Sequence, residues 1–195
     1  FIVFFFFFVI FFFVFFFFFF FVCFLLFVYI IFFCLYISEL DKDIQKDLQA
    51  ILSPKRFRHS RGVAETAKHL AEKYGADANK AYEAGWVHDC AKGLPLVDMQ
   101  HIVQEAGIKA DEQLLSSRAL LHGPAGSILA ETKYGITDSA VQSAVYFHTT
   151  GHPDMTLLEK IIFLADYIEP SRDFPGVEKL RKLAEIDLDE ALLAA

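Results

Sequence analysis

The first 37 residues contain no charged residue, no amide, no glycine, no proline and no alanine, and 20 of them are phenylalanine. A run of 18 or more apolar residues ordinarily reads as a transmembrane helix, and this one has length to spare. Its absences argue otherwise. Membrane helices pack through small residues, and their orientation is set by flanking Lys and Arg. A secretory signal needs a basic start and a small-residue cleavage site. None of these is present. Residues 1–38 use only Phe, Ile, Val, Leu, Cys, Tyr and Ser, the amino acids encoded by TTT and by codons one base away from it. The chain also opens on Phe instead of Met. The segment therefore reads as a Phe-rich, low-complexity translation of T-rich DNA ahead of the true start, with a membrane segment as the alternative should it be expressed.

Cysteine is scarce too. Cys23, Cys34 and Cys90 form no CxxC and no disulfide framework, which indicates a reducing, cytoplasmic setting. All 25 acidic and 18 basic residues follow residue 38, and the net charge of −7 with no basic stripe gives no support to nucleic-acid binding. Residues 39–195 are about 45% apolar and about 27% charged, the composition of one globular domain.

No sustained period-2 run occurs in this part, so the expected class is all-α. Helices are expected over 40–52; from Pro54 to Tyr74, started by Ser53-Pro54 and stopped by Gly75; from Asp77 through about Lys92; from Pro95 to just before Gly107; from about Pro124 to Gly135; from after Thr137 or Asp138 to near Thr149; from Met155 to Ile168, stopped by Pro170; and from Val177 to the end. Residues 107–120 are ambiguous. The count is eight or nine helices.

Seven histidines are present, and the doublet His88-Asp89 is the informative one. It lies in the apolar stretch Ala84-Gly85-Trp86-Val87-His88-Asp89-Cys90-Ala91, where a carboxylate is costly to bury unless it is paired or bound to metal. Asp166 poses the same question within Ile161-Ile162-Phe163-Leu164-Ala165-Asp166-Tyr167-Ile168. Two acids in apolar helices, with several histidines elsewhere, suit a shared cation. His69 and His101 sit in solvated patterns and read as ordinary surface residues. Cys90, one residue beyond Asp89, reads as core.

Five separated segments then agree, in identity and order, with a known pattern: Arg56-Phe57-Arg58-His59-Ser60-Arg61-Gly62-Val63-Ala64; His88-Asp89-Cys90-Ala91-Lys92-Gly93-Leu94-Pro95; Leu121-His122-Gly123-Pro124-Ala125-Gly126; His148-Thr149-Thr150-Gly151; and Leu164 to Gly176. From residue 39 onward the chain resembles the HD-domain metal-dependent phosphohydrolases and, within them, the YqeK group. Two positions depart from the group: Arg61 stands in place of an apolar residue and His152 in place of Arg. The group's C-terminal helix is missing, so the chain reads as cut short at its C-terminus.

The resemblance implies an HD-domain helical bundle with two divalent metal ions, iron or, as the other candidate, manganese. His59, His88, Asp89 and Asp166 would hold one metal; Asp89, His122 and His148 would hold the second, with the Asp89 carboxylate bridging. Asp89 and Lys92 would be catalytic. His59, Lys92, His148, Thr149, Asp166, Arg172 and Asp173 would contact substrate. The implied reaction is symmetrical cleavage of a dinucleoside tetraphosphate, with ADP as product, by a hydroxide held between the metals; a homodimer is compatible with it. The competing readings are another HD-domain nucleotide phosphohydrolase or phosphodiesterase, and a non-catalytic nucleotide-binding module.

Overall fold

The computed structural model describes residues 19–32 and 43–195; the expectations that fall on 1–18 and 33–42 lie outside the described residues. The chain divides into two units, 1–44 and 45–195. In the first, residues 19–32 form a helix whose side chains are mostly exposed, and no described helix is long and apolar enough to cross a membrane.

Helix α1 covers 43–51. It is followed by α2 (Pro54–Tyr74), α3 (Ala78–Val87), α4 (Leu96–Glu105), α5 (Glu112–Ser116), α6 (Arg118–Thr132), α7 (Ser139–Phe147), α8 (Leu157–Ile168), α9 (Val177–Ala184) and α10 (Leu188–Ala194). No strand occurs among the described residues, so the all-α expectation holds.

Local chemistry accounts for most boundaries. The Ser53 hydroxyl accepts from the Arg56 amide, and Pro54 takes the first helical position, where its missing N–H costs nothing. Gly75 ends α2 at φ 78°, a left-handed conformation in which a Cβ is strained, and the Ala76 amide closes back on Ala71 O. Asp77, Asp138 and Asp187 cap α3, α7 and α10. Thr156 and Glu159 form a reciprocal capping box at the start of α8.

Four expectations need correction. The helix expected through Lys92 stops at Val87, and 88–92 continue as turns. His88 Nδ1 lies 2.7 Å from Gly85 O, the carbonyl that the next turn's amide would otherwise take, and the backbone tightens to Cys90 N→Val87 O and Lys92 N→Asp89 O bonds. Pro124 does not start α6 but lies inside it. Packing of Leu121 and Ala125 with Met99 and Val103 of α4 outweighs the proline's preference for a helix start. The ambiguous stretch contains α5, capped by Asp111. The last helix is two, broken at Glu185 to Asp187, where the Asp187 side chain caps a new start. Ten helices thus lie within 43–195, more than the eight or nine expected.

Helix α2 packs on α3 and α8, α7 on α3 and α8, and α6 on α4, α5 and α7. The core-facing stripe of α2 is Val63, Ala64, Ala67, Leu70 and Ala71; that of α8 is Ile161, Ile162, Leu164 and Ala165, all buried. Gly85 permits the close crossing of α3 on α2, because a Cβ there would fall 2.8 Å from Ala64 N. That crossing brings the end of α3, and with it His88-Asp89, against the His59 turn of α2.

Candidate metal centre

Each element delivers one or two polar side chains to a common point. His59 comes from the second turn of α2, His88 and Asp89 from the turn after α3, His122 from the interior of α6, His148 from the end of α7 and Asp166 from the last turn of α8. His88, Asp89, His122 and His148 are each at most 1% exposed. The six side chains expected to ligate metal are brought together.

They form two sets that meet at Asp89. In the first, His59 Nε2 is 2.9 Å from Asp166 Oδ1 and 3.3 Å from His88 Nε2, while Asp89 Oδ2 lies 4.0 Å from His59 Nε2 and 3.8 Å from His88 Nε2. In the second, Asp89 Oδ1 is 3.3 Å from His122 Nε2 and 3.6 Å from His148 Nε2, and those two nitrogens are 3.0 Å apart. The two oxygens of one carboxylate therefore face two separate groups of imidazoles, as a bridging role requires.

The protonation states suit metal. His88 Nδ1 donates to Gly85 O and His148 Nδ1 to Val145 O, both at 2.7 Å, which leaves each Nε2 with its lone pair toward the centre. Burial pushes His88 down to about 4 and also lowers His122, so both rings are neutral at pH 7. For Asp89, burial opposes ionisation but the surrounding histidines and Lys92 prevail and hold its carboxyl well below the usual carboxylate range. Asp166 is lowered by His59, His88 and Arg172 against the same opposition. Asp89 Oδ1 is buried and takes no hydrogen bond among the described residues, although Lys92 Nζ is 3.0 Å away. The neutral imidazoles of His88 and His122, the inward Nε2 atoms of His59 and His148, two carboxylates and a buried oxygen without a hydrogen bond form a donor set that fits divalent cations with imidazole and carboxylate preference; the set has no thiolate. Ligand atoms of His59, His88 and Asp166, and of His88, Asp89 and His148, lie within 4.8 Å of one another.

A cavity of about 690 Å³ opens onto Asp89 and His59. Lys92, Arg172 and Asp173, three of the residues expected to contact substrate, line it. Arg172 Nε donates to Asp166 O at 2.7 Å, and its Nη2 pairs with Asp166 Oδ1, so this arginine braces a ligand as well as facing the cavity. Thr149 does not line this cavity; its hydroxyl lies 3.1 Å from His148 Nε2 and 3.3 Å from His122 Nε2. Cys90 is core, as read from the sequence: it is buried, its thiol is pushed up to about 12 by burial, and Sγ faces Gly126 O. His69 pairs with Glu185 on the surface.

Sequence reasoning missed two residues. Arg56 lines the cavity with Nη1 3.4 Å from Asp89 Oδ2. Its place one turn before His59 was available as a signal, but a surface arginine is the commoner reading of that spacing. Glu169 is buried, with Oε1 2.9 Å from His59 Nδ1. The motif around Asp166 contains it, yet nothing in its spacing says that it turns inward.

Comparison with known proteins agrees with the geometry. Residues 56–171 match the HD domain family. The chain is 46% identical over 144 residues to a symmetrical bis(5'-nucleosyl)-tetraphosphatase of Halalkalibacterium halodurans, covering 74% of this chain and 76% of that one. It is 45% identical over 142 residues to the enzyme of the same name in Bacillus subtilis, covering 73% and 76%. A crystal structure from Clostridium acetobutylicum, described as a predicted HD superfamily hydrolase involved in NAD metabolism, superposes with a TM-score of 0.76 at 49% identity, covering 78% of this chain and 81% of that one. The chain belongs to the HD-domain family and, within it, to the YqeK group of symmetrical bis(5'-nucleosyl)-tetraphosphatases.

Proposed function

We propose that the chain hydrolyses dinucleoside tetraphosphates symmetrically, converting diadenosine tetraphosphate to two ADP. The observation that carries this reading is the buried Asp89, whose two oxygens face two imidazole sets at the floor of a cavity flanked by Arg56, Lys92 and Arg172.

Two divalent cations, iron or manganese, held by His59, His88, Asp89 and Asp166 and by Asp89, His122 and His148, would supply Lewis-acid charge neutralisation and a nucleophilic oxygen at neutral pH. The chain's own residues do the rest. His88 and His148, oriented by backbone carbonyls, present fixed lone pairs at no reorganisation cost. Lys92 and Arg56, on opposite oxygens of Asp89, neutralise phosphate charge above it, and Arg172 offers a planar guanidinium to a phosphate while holding Asp166. Asp173 at the rim and Thr149 at the second imidazole set hold the nucleotide half nearest them.

In the reaction a water oxygen bonds to the second phosphorus from one nucleoside. The bond from that phosphorus to the central bridging oxygen breaks, and the other half leaves as a nucleoside diphosphate. The enzyme is read as cytoplasmic.

Incubating the metal-loaded chain with diadenosine tetraphosphate in heavy-oxygen water tests the reading. ADP is expected as sole product, with one labelled oxygen per pair of ADP molecules. ATP plus AMP would overturn it, because the cavity would then hold a different length of phosphate chain.

A further inference from the structure

The four histidines of the centre are braced unequally. His88 and His148 use Nδ1 on backbone carbonyls three residues back, and His122 Nδ1 is buried with no hydrogen-bond partner among the described residues. His59 is different, because its Nδ1 meets a carboxylate, Glu169 Oε1, at 2.9 Å. Glu169 is 1% exposed and caps the end of α8, three residues after Asp166. It is held in turn by the Ser171 amide at 2.7 Å and the Ser171 hydroxyl at 2.5 Å. The space it occupies exists because residue 62, one helical turn beyond His59, is glycine: a Cβ at Gly62 would collide with Glu169 Oε2.

We infer that Glu169 is a positioning residue, acting through His59, that makes the His59–His88–Asp166 set the tighter of the two divalent-cation positions. The inference rests on the metal-centre reading above. A carboxylate that accepts the Nδ1 proton fixes the ring, directs the Nε2 lone pair inward and raises its basicity. The second set has no such support: His148 leans on a neutral carbonyl and His122 on nothing. It also has a single carboxylate oxygen, Asp89 Oδ1, which the Lys92 ammonium approaches at 3.0 Å, just as Arg172 and Arg56 approach Asp166 Oδ1 and Asp89 Oδ2 in the first set. The first set has Asp166 as a further anionic ligand.

The test is a titration of the chelated full chain with Mn²⁺, read by equilibrium dialysis and elemental analysis, with helicity followed by circular dichroism. His122→Ala identifies the weaker step by removing it. Glu169→Gln, which keeps an acceptor but loses the charge, should weaken the tighter step roughly 10-fold, and Glu169→Ala roughly 100-fold, with the weaker step and the helicity unchanged. Gly62→Ala leaves the charge in place but displaces the carboxylate, and should weaken the same step. A helical Glu169→Ala chain with wild-type affinity at the tighter step would overturn the inference. Equal losses at both steps together with lost helicity would overturn it too, since Glu169 would then be only structural. A wild-type chain that binds no Mn²⁺ would overturn the metal-centre reading and this inference with it.

Discussion

Asp89 joins the two imidazole sets through one side chain. Because Oδ2 faces one imidazole set and Oδ1 the other, Asp89→Ala should abolish metal at both positions, whereas His122→Ala should remove mainly the second. Elemental analysis of the two purified variants measures this, and equal partial losses would contradict the bridge. Lys92 gives the converse case. It touches Asp89 Oδ1 but ligates nothing, so Lys92→Ala should hold metal at least as tightly as wild type. Turnover should nevertheless fall about 30- to 1,000-fold, the effect of losing about 2–4 kcal/mol of transition-state stabilisation. Wild-type turnover would return Lys92 to the role of a solvated surface charge.

At the scale of elements, the spacing between helices sets the distance between ligands. Helices α6 and α7 approach closely at Gly123, where a Cβ would fall 2.6 Å from Tyr146 O. His122 and His148 stand on the two sides of that contact with Nε2 atoms 3.0 Å apart. Gly123→Ala should separate the helices, lower stability by about 1–3 kcal/mol and loosen the second metal position before the first. Thermal melting and metal stoichiometry read the two effects independently. A second buried carboxylate, Glu159, ties α7 to the start of α8 through Ser143, and holds His152 at 3.1 Å and the Thr156 amide at 2.6 Å. Burial works against its ionisation, but these hydrogen bonds prevail and lower its pKa from 4.5. Its folded-state pKa lies below the unfolded value, so its contribution is complete above pH 4.5 and is lost as pH falls through the folded value. Glu159→Gln should therefore melt below wild type at pH 7, with the gap closing under acid conditions. A gap independent of pH would mean that the charge contributes nothing.

On the scale of the whole molecule, metal and fold are linked. Buried neutral His88 and His122 resist protonation in the folded chain but accept it freely near 6.5 when unfolded. Stability of the chelated chain should accordingly fall as pH drops from about 6.5 toward 4. Burial would lower His59, but its hydrogen bonds to Asp166 and Glu169 raise it; its contribution is complete below about 6.5 and is lost only as pH rises above that, so it does not alter the fall toward 4. Metal bound only by the folded state adds stability by mass action, about 2.7 kcal/mol per site at a hundredfold excess over Kd. The melting temperature at pH 7 should rise with Mn²⁺ in wild type and stay flat in Asp89→Ala. A rise in both would place the stabilising metal elsewhere.

The sequence alone determined the helical class, the caps at Ser53 and Asp77 and the stop at Gly75, because capping and chain reversal are settled within a few residues. Through the resemblance of five motifs in fixed order it also named the six side chains that the fold brings together. It misplaced the end of α3 and the start of α6, where His88 and Pro124 answer to packing partners far along the chain. Tertiary structure alone decided that Asp89 divides its oxygens between two sets, that Arg172 braces Asp166, and that Glu169 turns inward to His59. Each of these depends on where helices distant in sequence cross, and at Gly62, Gly85 and Gly123 the permitted distance of approach follows from the absence of a Cβ, whose effect exists only once the facing element is in place.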